Sequence, residues 1–512
     1  MAEREWREGS DLRVSRIGLA SVLVTAAVLR FWALGHGIPY SVSVDEPEIV
    51  ERAFNMMRAG SLNPQGFFDY PGLYIYVQFL VSCLRFIAGA LSGAWSSLGA
   101  ATTPSFYLWG RAVTAAIGVL TVLLVFRIGL RWGGRYALLA AALLAVMPLH
   151  VRYSHYVLTD TPLTFFVTLT FLLSLVAHER ATTRAFMWAG AAAGLAAATK
   201  YNGGIALVMP LLACWMTPAV RPSRLTCALV AAGAAVVAFL VTAPYTILDL
   251  PGFLNSFAHL ASMYQRGDRF DAAWLTYLKH LRITFGWPAL LLSGAGLVLG
   301  IVRLVQGPGR VRWALAVIFP LLYFWTISRQ QIVYARYLLP IVPVLCVLAA
   351  TAVISGVSLL RRYEIPRAPR TLLIAALTMA ALLPPLVQSV RWDRMAGRKA
   401  TMSLAYDWIL QNVPRGATIV IESRELLLPA DQYVTRNVPE LRHVDYAGYA
   451  GEGVEYLVAS SQAFGKYLSA PKDYPRQYAD YLGLFKQAEE IKRFMPTAEH
   501  PGSEVRILKV QR

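Results

Sequence analysis

The chain has 512 residues, 56% of them hydrophobic and only 15% charged, with 48 Lys and Arg against 30 Asp and Glu for a formal net charge of +18. A mean hydropathy of +0.47 excludes an ordinary soluble enzyme, whatever its domain count, and identifies a membrane protein. The four cysteines, Cys83, Cys214, Cys227 and Cys346, all fall in apolar runs where a thiol behaves as a small hydrophobe, and none makes a metal-ligand spacing.

The first apolar run, Ile17 to Leu34, has no small-residue cleavage site after it and reads as a retained span, not a signal peptide. Further runs of bilayer length, roughly 17 to 25 residues each, recur to about Val390. The expected spans are 14–34, 106–128, 135–150, 162–178, 184–201, 203–220, 224–243, 286–304, 311–328, 337–360 and 371–390. Lys and Arg accumulate in short cytoplasmic loops. Arg4, Arg7, Arg13 and Arg16 therefore predict a cytoplasmic N-terminus, and the connectors bearing Arg127 and Arg131, Arg180 and Arg184, Arg221 and Arg224, Arg303 and Arg310, and Arg361 and Arg367 agree if about eleven helices cross. That parity makes Pro71 to Leu91 a juxtamembrane or re-entrant helix in the first outer loop, because a twelfth crossing would invert every later loop. The excess of positive charge is explained by topology and the membrane surface, so no nucleic-acid partner is implied.

Beyond Val390 the composition turns polar, with strand-like runs ATIVIES, VEYLVASS and EVRILKV and a helical pattern in QYADYLGLFKQAEEIKRF. Two domains are expected: a transmembrane domain over 1–390 and a small extracytoplasmic soluble α/β domain over 391–512.

Ionised carboxylates are expensive in hydrocarbon and mark ion or substrate pathways when they occur mid-span. Here none is mid-span. Apart from the N-terminal tail, Glu179 and Glu364, the acids fall on the expected outer side, among them Asp45, Glu46, Glu48, Glu51, Asp69, Asp160, Asp249, Asp268 and Asp271. The topology brings to the same face the segments VDEPEIVERAF, FFDYPGLYIY, HVRYSHYVLTDTPL, ATKYNGG, SRQQIVYARYLLP and the long loop from Pro244 to Trp287. Carboxylates, arginines and aromatics thus converge beside lipid, which suits a substrate with an anionic head and an apolar tail, since the arginine fork makes bidentate bonds to phosphate.

An Asp-Glu pair just outside the first span, then YPGLYIY, RYSHYVLTDTPLTFF, ATKYNG and ARYLLPIVP in that order, resemble the C-type fold of glycosyltransferases that use polyprenyl-phosphate sugars. Within that group the chain is similar to the protein O-mannosyltransferase-like family and its bacterial aminoarabinose-transferase relatives, over about residues 14 to 360. The resemblance implies a GT-C transmembrane domain in a bacterial inner (plasma) membrane. It implies an inverting transfer of a hexose or pentose from a polyprenyl-phosphate carrier to a protein hydroxyl or an envelope glycan or lipid. It also implies that Asp45 is the principal catalytic carboxylate, with Glu46 beside it and Asp160 supporting. Arg111, Lys200, Tyr201, Tyr245, Arg336 and Tyr337 are the candidates for donor-phosphate and substrate contacts.

Each residue has a structural reading beside the functional one. Asp45 and Glu48 can form a capping box for a helix beginning at Pro47, and Asp160 can cap the helix that starts TPLTFF. Arg336 can be a snorkelling interfacial arginine, and Tyr70, Tyr74 and Tyr76 an interfacial belt. Arg266 to Asp271 reads as a mobile substrate loop or as solvated charge. No cofactor is firmly implied; a divalent metal held by His150 and His155 with Glu46 or Asp160 is an alternative. A transporter or flippase of lipid-linked sugars is the alternative function, and its sign would be ionisable or broken paired segments at the bilayer midplane.

Overall fold

The computed structural model describes every residue except 1, 41, 44, 102, 219, 266–272, 307–308, 361–365, 423–425 and 512. The group Arg266 to Asp271 therefore lies outside the described residues. The chain forms two compact units. One comprises residues 1–32, 49–101 and 109–391, and the other residues 33–48, 102–108 and 392–512. Asp45 and Glu46 thus cluster with the C-terminal residues rather than with the main helical body.

In the helical unit the apolar runs become helices because a helix of 20 or so residues of Leu, Val, Ala and Phe satisfies its backbone polar groups within the segment, as a chain in hydrocarbon requires. Among the described residues, eight helical stretches are long and apolar enough to cross a membrane. They are Gly72–Leu91, Pro104–Gly129, Asp160–Arg180, Arg224–Thr242, Ala273–Gln306, Arg310–Ser328, Ala335–Gly356 and Thr371–Asn412. The protein is a multi-pass membrane protein.

These eight do not map one for one onto the eleven expected runs. Gly134–Val146, with 13 residues, reaches only about 20 Å at 1.5 Å per residue, short of a ~30 Å hydrocarbon core. Pro148 then opens a separate short helix, Pro148–Tyr153. Conversely Gly72–Leu91, expected beside the membrane, is a continuous helix of 20 residues that meets the length and apolarity of a span.

One continuous apolar core joins these helices, Gly72–Leu91 excepted, from Ala26 through Phe126, Phe171, Phe186 and Phe285 to Leu348. Without water to drive association in lipid, helices approach through small residues. A Cβ on Gly190 would meet the carbonyl oxygen of Ala231 at 2.0 Å and one on Gly194 that of Ala235 at 2.1 Å, so helices Thr183–Thr199 and Arg224–Thr242 lie backbone to backbone. Gly296 stands in the same relation to Leu348, at 2.0 Å.

The second unit holds a five-stranded sheet of β1 (Thr418–Glu422), β2 (Val434–Val438), β3 (Tyr456–Ser460), β4 (Glu489–Phe494) and β5 (Val505–Lys509), in the order β2-β1-β3-β5-β4. β1 runs parallel to β2 and β3, while β5 is antiparallel to β3 and β4. Side chains alternate between faces. Ile419, Ile421, Val458 and Ile507 build one core, and Val420, Leu457, Ala459 and Leu508 the other.

The three strand-like runs are β1, β3 and β5. The expected long helix divides into Pro475–Gln487 and strand β4. β2, an edge strand, carries no apolar alternation that would have announced it. Residues 33–48 join this unit through a backbone bond from Leu427 N to the carbonyl oxygen of Tyr40 (2.9 Å) and an edge-on contact of Tyr40 with Tyr406.

At the end of β1, Glu422 is buried. It accepts from Leu441 N (2.7 Å), Tyr481 OH (2.6 Å) and Ser460 N (2.9 Å). Burial nevertheless pushes its carboxyl up to about 7, the three donors offsetting only part of the desolvation cost and Glu440 adding to the rise.

Candidate active site

Asp160 is the first residue of helix Asp160–Arg180 and is only 2% exposed. Its side chain caps nothing; the N-cap is Thr159, which makes no side-chain capping bond. Instead the carboxylate takes two cations. Lys200 Nζ donates to Oδ1 at 2.8 Å, and Arg336 Nε stands 3.7 Å from Oδ2. The capping role open to Asp160 in the sequence is thus replaced by an ion-pair role, and the helix N-terminus adds a favourable field for the negative charge.

Local sequence delivers both cations. Lys200 is the C-cap of Thr183–Thr199, its extended backbone ending that helix before a turn of 3₁₀ helix, Tyr201–Leu207. Arg336 sits near the start of a second 3₁₀ segment, Ala335–Ile341, which leads into helix Val342–Leu360. Three helix ends therefore meet, and a carboxylate that would be costly alone is compensated.

Aromatic rings surround the cluster. Lys200 Nζ lies 4.4 Å from the Tyr337 ring centre and 6.0 Å from that of Tyr70. The Arg336 guanidinium lies 4.4 Å from the Tyr334 ring and 5.9 Å from that of Tyr337. Tyr337 OH and Tyr264 OH share a hydrogen bond of 2.8 Å, and Tyr264 O accepts from Gln331 N. Burial pushes the Tyr264 phenol up, so it is a neutral hydroxyl. Beside the cluster opens a cavity of about 210 Å³, with Asp69, Tyr70, Lys200, Tyr201, Asn202 and Tyr337 in its lining. Phe257, Leu260 and Tyr264, from helix Leu250–Gln265, supply an apolar wall.

Of the expected site residues in the helical unit, Asp160, Lys200, Tyr201, Arg336 and Tyr337 come together here. Tyr245 does not line this cavity; it lines a much smaller one with Tyr70, Tyr76 and Phe67. Arg111 is fully buried, its guanidinium 5.8 Å from the Tyr156 ring, and is not among the cavity-lining residues. Asp45 and Glu46 belong to the other unit. There Asp45 is half-buried in a turn before helix Pro47–Ala59, and Glu46 is fully buried, accepting from Ser43 N at 2.9 Å.

The tyrosines expected as an interfacial belt divide. Tyr70 lines the cavity, and Tyr74 is 1% exposed, its hydroxyl 2.5 Å from Thr114 Oγ1. Asn202 and Tyr264 went unrecognised in the sequence; Asn202 had a signal, its place in ATKYNGG.

The histidines do not form the alternative metal site. Both ring nitrogens of His155 face carbonyl oxygens, Nδ1 that of Val151 at 2.9 Å and Nε2 that of Trp32 at 2.8 Å. Burial drives its imidazole down to about 4, helped by Arg30 and Arg111. His150 Nδ1 meets the Arg30 guanidinium at 2.9 Å. Among the described residues no group of three or more His, Cys, Asp or Glu could hold a metal ion.

Residues 109–247 match the family of dolichyl-phosphate-mannose-protein mannosyltransferases. No curated protein matches the chain in sequence. Among solved structures, ArnT from Cupriavidus metallidurans in the apo state is similar at TM-score 0.57 and 16% identity, covering 97% of this chain and 98% of that one. The same protein bound to undecaprenyl phosphate is similar at TM-score 0.52 and 17% identity, covering 97% of each chain. The apo oligosaccharyltransferase of Archaeoglobus fulgidus is similar at TM-score 0.59 and 15% identity, covering 95% of this chain and 74% of that one. The family match takes in Asp160 and Lys200, and the likeness to these solved structures over nearly the whole length shows a GT-C fold.

Proposed function

We propose that the chain transfers a sugar from a polyprenyl-phosphate carrier to an extracytoplasmic acceptor, either a protein hydroxyl or an envelope glycan or lipid. The observation that carries this reading is the buried carboxylate of Asp160 held between Lys200 and Arg336 at an aromatic-walled cavity. Two cations on one carboxylate leave a net positive charge, and a phosphodiester is the anion whose charge grows as its glycosyl bond breaks. Preorganised cations aimed at that developing charge lower the barrier. Undecaprenyl phosphate bound to ArnT and dolichol-phosphate bound with a peptide to the archaeal oligosaccharyltransferase AglB support the donor class.

In the proposed step an acceptor hydroxyl attacks the anomeric carbon. The bond from that carbon to the phosphate oxygen breaks, the electron pair leaves with the polyprenyl phosphate, and the configuration inverts. The hydroxyl proton passes to Asp45, a general-base contribution of about 10²- to 10⁴-fold. That role for Asp45, and a neighbouring role for Glu46, rest on their place in the ordered motif set. Lys200 and Arg336 take the phosphate charge, Asp160 fixes the two cations, and Tyr201 and Tyr337 form the cavity wall. We assign the protein to the bacterial inner membrane, with a cytoplasmic N-terminus and the C-terminal residues outside. The charged groups of this cluster lie at helix ends, not mid-span, so the transporter reading gains no observation.

The test is incubation of the purified protein with a panel of labelled polyprenyl-phosphate sugars and envelope extract. Label should move to an acceptor with wild type and fall sharply with Asp45→Asn and with Asp160→Asn. No transfer from any donor, or transfer undiminished in both variants, would overturn the assignment.

A further inference from the structure

Once Lys200, Arg336 and Asp160 are given to the donor phosphate, the cavity retains polar lining groups of a different kind, among them the Asp69 carboxylate and the Asn202 amide. Asn202 is held from one side. Its Nδ2 donates to Tyr323 OH at 2.8 Å, and Tyr323 is fully buried. Its Oδ1 is buried with no hydrogen-bond partner among the described residues. An unsatisfied buried acceptor carries a desolvation cost that an incoming donor removes, and the fixed amide cannot turn away without breaking its bond to Tyr323. Asp69 is exposed at the same cavity. An ionised carboxylate there is acceptor-only and suits hydroxyl protons. Tyr70 and Tyr201 supply aromatic walls against which sugar C–H groups pack.

A neutral, hydroxyl-bearing ring answers this set. Its hydroxyls donate to two acceptors while its carbon face meets the rings. The cavity, about 210 Å³, has room for a sugar ring.

Resting on the transferase reading above, we propose that Asn202 and Asp69 determine which sugar is accepted, each reading a different hydroxyl of a single neutral monosaccharide on the carrier. The phosphate contacts are common to every donor of the class; Asn202 and Asp69 are where donors that differ only in sugar configuration would be told apart.

The experiment uses the full-length protein in detergent with farnesyl phosphate carrying a hexose, its singly deoxygenated counterparts, and an amino sugar. Wild type should lose about 10- to 100-fold in kcat/KM on removal of a hydroxyl that is read by a buried or charged acceptor. Asn202→Leu should bring the parent and one deoxy donor to within about 3-fold of each other. Asp69→Ala should do so at a different ring position, which decides the matter if Asn202→Leu does not fold. Unchanged deoxy profiles in the folded variants overturn the proposal. So does a loss in Asp69→Ala confined to the amino-sugar donor, which would make Asp69 an ammonium partner. Failure of wild type to transfer from any donor sinks the transferase reading and this assignment with it, an outcome distinct from transfer without hydroxyl discrimination.

Discussion

Replacing Asp160 by Asn keeps the shape of the side chain and removes its charge, leaving Lys200 and Arg336 with side chains only 11% and 15% exposed beside a neutral amide. A pair at about 4 Å is worth on the order of 4 kcal/mol at an effective dielectric of 20, and breaking a buried pair by removing one partner costs about 3 to 5 kcal/mol because the other charge stays buried. Asp160→Asn should therefore destabilise the helical unit by roughly 3 kcal/mol and lower transfer as the two cations lose their common anchor. Thermal unfolding in detergent reads the first effect, and transfer from a labelled donor the second. A double-mutant cycle with Lys200→Met isolates the pair, with an expected coupling of about 2 kcal/mol between residues in direct contact. A coupling under about 0.5 kcal/mol, with unfolding temperature and turnover both unchanged in Asp160→Asn, would refute the argument.

Asp45→Asn should cut transfer by about 10²- to 10⁴-fold while polyprenyl phosphate binding, measured by quenching of intrinsic fluorescence, stays intact; parallel loss of both would make Asp45 structural. Glu422 has a folded pKa raised to about 7 from 4.5, so its protonated form stabilises the fold below pH 4.5 and that contribution is lost as pH rises through 7, on the order of 3 kcal/mol at 1.36 per unit. Hydrogen exchange across the sheet should accelerate over that window in wild type and much less in Glu422→Gln; identical pH profiles would contradict the assignment. Gly190→Val places atoms where the Ala231 carbonyl lies 2.0 Å from a Cβ, and should lower the unfolding temperature and transfer together. Cysteines introduced at Ser96 and Met395, both exposed, should react with an impermeant maleimide added outside intact cells; protection of either would overturn the proposed sidedness.

Asp160, Lys200 and Arg336 could be singled out as candidates because each stands in a motif, TDTPL, ATKYNGG or ARYLLP, where an apolar helix begins or ends and a charge is tolerated. That the three share one carboxylate was not legible, because it depends on how three separate helix ends pack. Tyr264 shows the same limit: its hydroxyl meets Tyr337 through the placement of helix Leu250–Gln265, which its own sequence does not specify. The metal alternative failed on ring placement, since the two nitrogens of His155 face the carbonyl oxygens of Val151 and of Trp32, 123 positions away. In the C-terminal residues the alternation of β1, β3 and β5 was plain. EEIKRF continued a helical pattern by propensity and became β4 through pairing with β5, a tertiary preference overriding a local one.

The backbone contact at Gly190 and Gly194 bears on the charge cluster from a distance. Lys200 follows Gly190 by ten residues, about 15 Å along a helix, so a lateral shift where Gly190 meets Ala231 swings the ammonium at the rod's far end. Two residues with no side chain thereby set the tolerance of an ion pair they never touch. Adapting this scaffold to a new donor should leave the glycine seam as it stands and vary the short 3₁₀ turn after Lys200, where a change in direction moves Asn202 without moving the rod.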